Sequence, residues 1–313
     1  MMHTIHRPYP PLGALPPTTG PSDIQLLVDY QRGHREDMAA IRAEQVLTGV
    51  YTPQRPISCW EQTVPGYREE VTVRLYRPQA EADATPAVLY MHGGAWCKGS
   101  IDTTHEYCLA LADLSGALVV SVAYHLAPEF PYPHGIEDCY QVLCWMWKQA
   151  EVLGIDREDI TLSGDSAGGN FSAGLSLMVR DRGEVSVKNQ ILLYPGLSMR
   201  AEDGVGGRDP DAMLSMQIVV DWYLGGAASQ QPYITPLAAA DLSGLPRTLL
   251  AVAALDGMRF CQRTYAQAIE QAGNMITVVE FENTPHGFIC DHRCLQQLED
   301  MASLAADFIR EKL

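Results

Sequence analysis

The sequence predicts an α/β fold: a mostly parallel central sheet with helices on both faces and a helical cap. Three observations predict it. Short apolar runs such as Ala87-Val88-Leu89-Tyr90-Met91 alternate with helical stretches from residue 87 onward. Strands with no polar alternation are buried on both faces, as in parallel sheets sandwiched by helices. One run, Ile160-Thr161-Leu162, leads through Gly164-Asp165-Ser166-Ala167-Gly168 into a helix start. Finally, the alternation fails between Pro195 and Pro246, where an insertion fits.

The chain has 313 residues, 47% of them hydrophobic, which suits one large domain with insertions. Residues 1–20 are proline-rich and read as an extended arm. Ser22 or Asp23 can cap a helix that follows, since Ile24, Leu27, Val28, Met38, Ile41, Val46 and Leu47 keep a rough helical period. This helical arm precedes the first strand and so stands outside the sheet. It is either a lid piece or a helix packed on the back of the domain. The expected division is an arm with cap helices at 1–55 and a main domain at 56–313, with a cap insertion at about 196–246.

Residues 57–64 and 70–76 are strand-like runs around Pro65-Gly66. The second alternates Val71, Val73 and Leu75 with Thr72, Arg74 and Tyr76, which predicts an antiparallel hairpin at a sheet edge. Further strands are expected at 87–91, 117–122, 160–162, 190–194, 248–253 and 276–281. Helices are expected at 104–115, 134–153, 167–182, 261–271 and 293–313. Within the insertion, Gly204, Gly206, Gly207 and Pro210 mark a loop. A helix with Met213, Leu214, Ile218, Val219, Trp222, Tyr223 and Leu224 follows.

The formal net charge is −16. A strongly acidic surface repels nucleic acid and anionic membrane, so neither is expected as a partner. No apolar run reaches membrane-span length, and the arm has no signal-peptide core, so a soluble, cytoplasmic protein is expected. Cys97, Cys108, Cys139, Cys144 and Cys261 lie in apolar or helical contexts, as reduced buried thiols do. Cys290 and Cys294, with His286 and His292 nearby, are the closest approach to a metal-binding pattern. No second cluster completes it, so no metal or cofactor is expected. The oligomeric state stays open, with a homodimer as one option.

Gly164 and Gly168 flank Ser166 in the G-x-S-x-G spacing. In a nucleophile elbow, side chains two residues to either side of the serine would collide. A serine hydroxyl needs a base to take its proton and a group to orient that base. The order nucleophile, acid, histidine, each after a strand, is met by Ser166, Asp256 and His286. Asp256 could instead cap the following helix, with Glu282 or Asp291 as lesser acid candidates. The Gly93-Gly94 pair after the strand 87–91 lets backbone N–H groups approach a substrate oxygen, and the Ala167 N–H supplies another donor. His92 reads as a scaffold for that loop rather than a second base. Asp165 has no role that the sequence reveals.

Four stretches together resemble the motif set of the hormone-sensitive-lipase-like esterases, which have the α/β-hydrolase fold and include bacterial acetyl esterases. They are His92-Gly93-Gly94, Tyr124-His125-Leu126-Ala127-Pro128-Glu129, Gly164 through Asn170, and Pro285-His286-Gly287-Phe288. The resemblance runs from about Ile57 to the end of the chain. It implies a lid built from the arm and the insertion, oxyanion donors at Gly93, Gly94 and Ala167, and the acid at Asp256. It also implies serine carboxylesterase activity on a small-molecule ester with a short acyl chain, about acetyl to hexanoyl. Three positions depart from the pattern: Ala95 replaces a third glycine, His125 an arginine, and Gly257-Met258 the usual Pro-Leu. The last implies a looser acid loop. Trp96, Met213, Leu214 and Phe288 are the candidate lining of an apolar substrate pocket, or they simply pack the lid. The competing readings are an amidase or formamidase with the same triad, and a non-catalytic binding protein on the same fold.

Overall fold

In a computed structural model, residues 2–12, 23–33, 37–43, 46–79, 84–204 and 209–313 are described. The expectations for Ser22, for residues 1 and 13–20 of the proline-rich arm, and for Gly206 and Gly207 fall outside them. Nine strands form one sheet: β1 (His3–Arg7), β2 (Ile57–Pro65), β3 (Glu70–Pro78), β4 (Thr85–Met91), β5 (Leu118–Ala123), β6 (Ile155–Asp165), β7 (Asn189–Leu193), β8 (Arg247–Ala253) and β9 (Ile276–Phe281). Their spatial order is β1-β9-β8-β7-β6-β4-β5-β3-β2. Only β2 with β3 and β3 with β5 pair antiparallel; every other pair is parallel. This is the α/β-hydrolase architecture, with the expected hairpin at one edge.

Strand β4 shows why the apolar runs are continuous. Ala87, Leu89 and Met91 join one buried cluster with Tyr124 and Phe171. Val88 and Tyr90 join another, with Tyr107, Leu298 and Met301. Successive side chains point to opposite faces of a strand, so both faces must be apolar when both are covered. The covering helices are α3 (His105–Ser115), α4 (His134–Lys148), α5 (Ala167–Arg182), α7 (Arg259–Gln271) and α8 (Leu295–Ile309), with α3 packed on α8 and α4 on α5.

The arm departs from expectation. Residues His3–Arg7 do not stand outside the sheet; they add a parallel edge strand to β9, with Ile5 opposite Val279. The Glu282 N–H also donates to the Arg7 carbonyl at 2.9 Å. A boundary at residue 55 therefore cuts through the sheet. Helices α1 (Asp23–Gln31) and α2 (Asp37–Ile41) do lie off the sheet, and α1 packs on both α2 and the inserted helix α6 (Pro210–Leu224). Pro210 and the Asp209 carboxylate, which accepts the Ala212 N–H at 3.0 Å, start α6. Tyr30 meets Trp222 edge-on at 4.9 Å between centroids, joining arm to insertion.

Candidate active site

The sheet brings the site together because four of its parallel strands end at the same edge. Ser166 directly follows β6, Asp256 follows β8, His286 follows β9, and the Gly93-Gly94 loop follows β4. Ser166 has φ 53° and ψ −113°, a strained positive-φ conformation outside the left-handed helical well. Its N–H donates to the Leu193 carbonyl at 2.9 Å, and its own carbonyl accepts from Asn170 at 2.9 Å and Gly196 at 3.0 Å. Those bonds hold the elbow. A Cβ on Gly168 would overlap the Met91 carbonyl, so only glycine lets the helix approach β4 this closely.

His286 Nε2 lies 2.8 Å from Ser166 Oγ, and His286 Nδ1 lies 2.8 Å from Asp256 Oδ2. The carboxylate can only accept, so Nδ1 carries the proton and Nε2 is left to accept from the serine. Asp256 is 1% exposed. Its Oδ1 accepts the Met258 N–H at 2.9 Å, and its carbonyl accepts from Arg259 Nη1 at 2.6 Å. The Gly257-Met258 departure thus leaves a tied loop, not the looser one expected. The lesser acid candidates lie elsewhere: Asp291 takes Arg293 Nε at 3.0 and 3.1 Å, and Glu282 faces His6 at 3.8 Å.

The donor loop corrects one residue. The Gly93 N–H donates to Asp165 Oδ1 at 2.9 Å and is not free for a substrate oxygen. Among the described residues, the N–H groups of Gly94, Ala95 and Ala167 have no acceptor. Gly94, at φ 119°, turns the chain where a Cβ would overlap the Lys98 carbonyl. Ala95 tolerates φ 49°, which shifts the free donors one residue along from Gly93. Asp165, without a role in the sequence, is the anchor: Oδ1 also accepts the Tyr90 hydroxyl at 2.8 Å. His92 is a scaffold residue as expected. It is 1% exposed and stacked on Tyr124 at 4.3 Å, and its Nδ1–H donates to the Gly93 carbonyl at 2.7 Å. Burial pushes its pKa down to about 4.

A cavity of about 350 Å³ lies beside this loop, lined by Ala95, Cys97 and Lys98, by Leu26, Leu27 and Ile41 of the arm, and by α6. The α6 contribution is Ala212, Ser215, Met216 and Val219, one helical stripe. The four expected lining residues are not there. Met213 and Leu214 fall beside that stripe, and Leu214 is 48% exposed. Phe288 is fully buried between Tyr194 and Phe281, with centroids 5.0 and 4.8 Å away. Trp96 stacks on Tyr223 at 4.7 Å and donates its indole N–H to Asn170 Oδ1 at 3.1 Å, so it packs α6 onto the elbow. The Cys290–Cys294 stretch also resolves into ordinary contacts: Cys290 Sγ donates to the Thr103 carbonyl at 3.3 Å, and Cys294 is buried.

A family profile described as the alpha/beta hydrolase fold matches residues 88–290. Over 231 residues the chain is 36% identical to carboxylesterase NlhH of Mycobacterium tuberculosis, covering 70% of this chain and 72% of that one. It is 30% identical to an arylesterase of Saccharolobus solfataricus over 74% of this chain and 77% of the relative. Among solved structures, the EstE1 carboxylesterase from a metagenomic library superposes with a TM-score of 0.78 at 32% identity, covering 94% of this chain and 98% of that one. With the profile spanning most of the sheet and all of these motifs, the chain belongs to the hormone-sensitive-lipase-like family of α/β-hydrolase-fold proteins.

Proposed function

We propose that the protein is a serine carboxylesterase that hydrolyses small-molecule esters of short acyl chains through an acyl-enzyme. The observation that carries this is the unbroken relay Ser166–His286–Asp256, with both links at 2.8 Å. Ser166 Oγ attacks the ester carbonyl as His286 Nε2 takes its proton. Asp256 keeps the imidazole in the right tautomer and stabilises its cation. The N–H groups of Gly94, Ala95 and Ala167 receive the oxyanion. His286 then protonates the leaving alcohol, and water repeats the sequence on the acyl-enzyme. The named activities of the relatives, carboxylesterase and arylesterase, support the reaction class.

The short acyl limit rests on the cavity. Its volume of about 350 Å³ sits at the low end of small-molecule sites. Helices α1, α2 and α6 act as a cap over it. All three relay residues come from one chain, so the chemistry needs no second copy. A reducing, cytoplasmic setting fits eight cysteines that are all free.

Ser166→Ala should remove hydrolysis of nitrophenyl acetate by roughly 10⁶-fold in kcat while the protein stays folded. Retained activity would refute the nucleophile. A series of nitrophenyl esters should peak at short chains and lose the longer members further on Met216→Trp. A peak at long chains would refute the pocket. An arylformamide in the same panel separates an esterase from a formamidase.

A further inference from the structure

We propose that His125, His134 and Asp138 form a binding site for a divalent transition metal of the zinc or cobalt type, beside the loop that follows β5. Among the described residues they are the one group of three ligating side chains whose donor atoms lie within 4.8 Å of one another. Two imidazoles and a carboxylate are a donor set that suits such ions. His134 and Asp138 stand four residues apart at the start of α4 and so share a helix face, while His125 reaches them from the loop.

Asp138 is fully buried and already oriented. Its Oδ1 accepts the Tyr67 N–H at 2.8 Å, and its Oδ2 accepts the His125 N–H at 3.1 Å and lies 2.7 Å from His125 Nδ1. Ligating carboxylates are commonly held by such bonds. Without metal the His125 Nδ1–H donates to Asp138 Oδ2; a metal displaces that proton to Nε2, where Glu69 Oε2 is 3.6 Å away, and leaves Nδ1 to ligate. His134 supplies the second observation. Its Nε2 is buried and has no hydrogen-bond partner, which pairing of His125 with Asp138 does nothing to relieve. Phe130 lies 4.4 Å from His125 and 4.9 Å from His134 between ring centroids, and Tyr67 stands edge-on to His134 at 5.5 Å. These rings form an apolar wall, while the His125 side chain keeps 18% exposure for access. Water completes the coordination. An arginine at position 125, as in the motif this loop resembles, could not ligate.

The site clips the loop on which the cap rests. Arg42 beside α2 holds the Ala127 carbonyl and Glu129 of that loop, and the Tyr132 N–H donates to the Tyr223 carbonyl of α6 at 2.7 Å. Bound metal therefore acts on heat resistance, and it touches none of the relay residues.

The test uses the full chain, stripped with EDTA and titrated with Zn²⁺, with Co²⁺ as the spectroscopic probe. One equivalent should bind, the cobalt spectrum should lack a thiolate charge-transfer band, and Tm should rise with Zn²⁺. His134→Ala should weaken binding at least tenfold and remove the rise, with far-UV circular dichroism confirming the fold. Equal affinity in the variant, a thiolate band, or no stoichiometric binding would overturn the proposal. Zinc-edge absorption on the wild type needs no variant: imidazole scattering supports the site, and sulfur ligation overturns it.

Discussion

The relay edge and the cap are held in opposite ways, and the cavity lies between the cap and the donor loop. On the relay edge, position comes from backbone. Ser166, Asp256 and His286 each follow a parallel strand, and the elbow is fixed by bonds to Leu193, Asn170 and Gly196. On the cap, apart from the Tyr132 N–H bond to the Tyr223 carbonyl, position comes from a few side chains: Tyr30 on Trp222, Trp96 on Tyr223, and the Arg42 guanidinium. That edge is rigid because the strands that carry the relay, β6, β8 and β9, are each pinned by two neighbours. A helical layer on side-chain contacts shifts at lower cost, which suits a surface that must admit substrate. Loss of a relay residue should therefore cost rate, and loss of a cap contact should cost binding.

The sharpest test on the relay side is Asp256→Asn. The amide can present N–H to His286 and favour the wrong tautomer, so kcat should fall roughly 10⁴-fold with little change in KM. A loss under tenfold would mean that the 2.8 Å bond to His286 Nδ1 only packs the ring.

The same contrast explains what the sequence could disclose. Residue type, chain order and strand ends determine where Ser166, Asp256 and His286 go, so all three were legible. The direction of a backbone N–H is not carried by residue type. Gly93 looked like a donor because glycine stood there, but that glycine is required by the closeness of the Asp165 carboxylate. The α6 residues that line the cavity follow a period of 3.6, and choosing bulk over phase selected Met213 and Leu214 instead of Met216 and Val219. Strand β1 was hidden because His3–Arg7 has a single apolar residue, and its partner strand lies at the other end of the chain.

Between relay and cap sits the donor loop, and Asp165 tests it. Asp165→Ala leaves the Gly93 N–H and the Tyr90 hydroxyl buried without an acceptor. The loop should then drift from the oxyanion position, lowering kcat by roughly 10²-fold. Asp165→Asn keeps an acceptor oxygen and should recover most of the rate. If both variants lose equally, the charge rather than the anchoring matters.

On the cap side, Arg42 donates to the Cys97 carbonyl at 2.9 Å and forks onto Glu129 at 2.6 and 3.0 Å, bridging α2 to the loop that lines the cavity. The pair is partly exposed, so its removal is a modest perturbation. Arg42→Ala should raise KM about fivefold with kcat nearly unchanged. A fall in kcat at constant KM would place Arg42 with the relay and remove the distinction between the two regions.

The last effect concerns stability at acid pH, and it separates the two regions without substrate. His92 lies under the donor loop, fully surrounded, and burial pushes its pKa down to about 4 against an ordinary value near 6.5. The unfolded chain therefore binds a proton between those values that the folded chain does not. Stability from this group is complete above the unfolded value and is lost as pH falls through that window, by about 3 kcal/mol at most. His92→Asn keeps a donor for the Gly93 carbonyl and removes the titration. Urea unfolding at successive pH values from neutral down to 4 should show a flatter fall for the variant than for the wild type, although the variant is less stable at neutral pH. Parallel curves would move the acid sensitivity away from the loop beneath the oxyanion site.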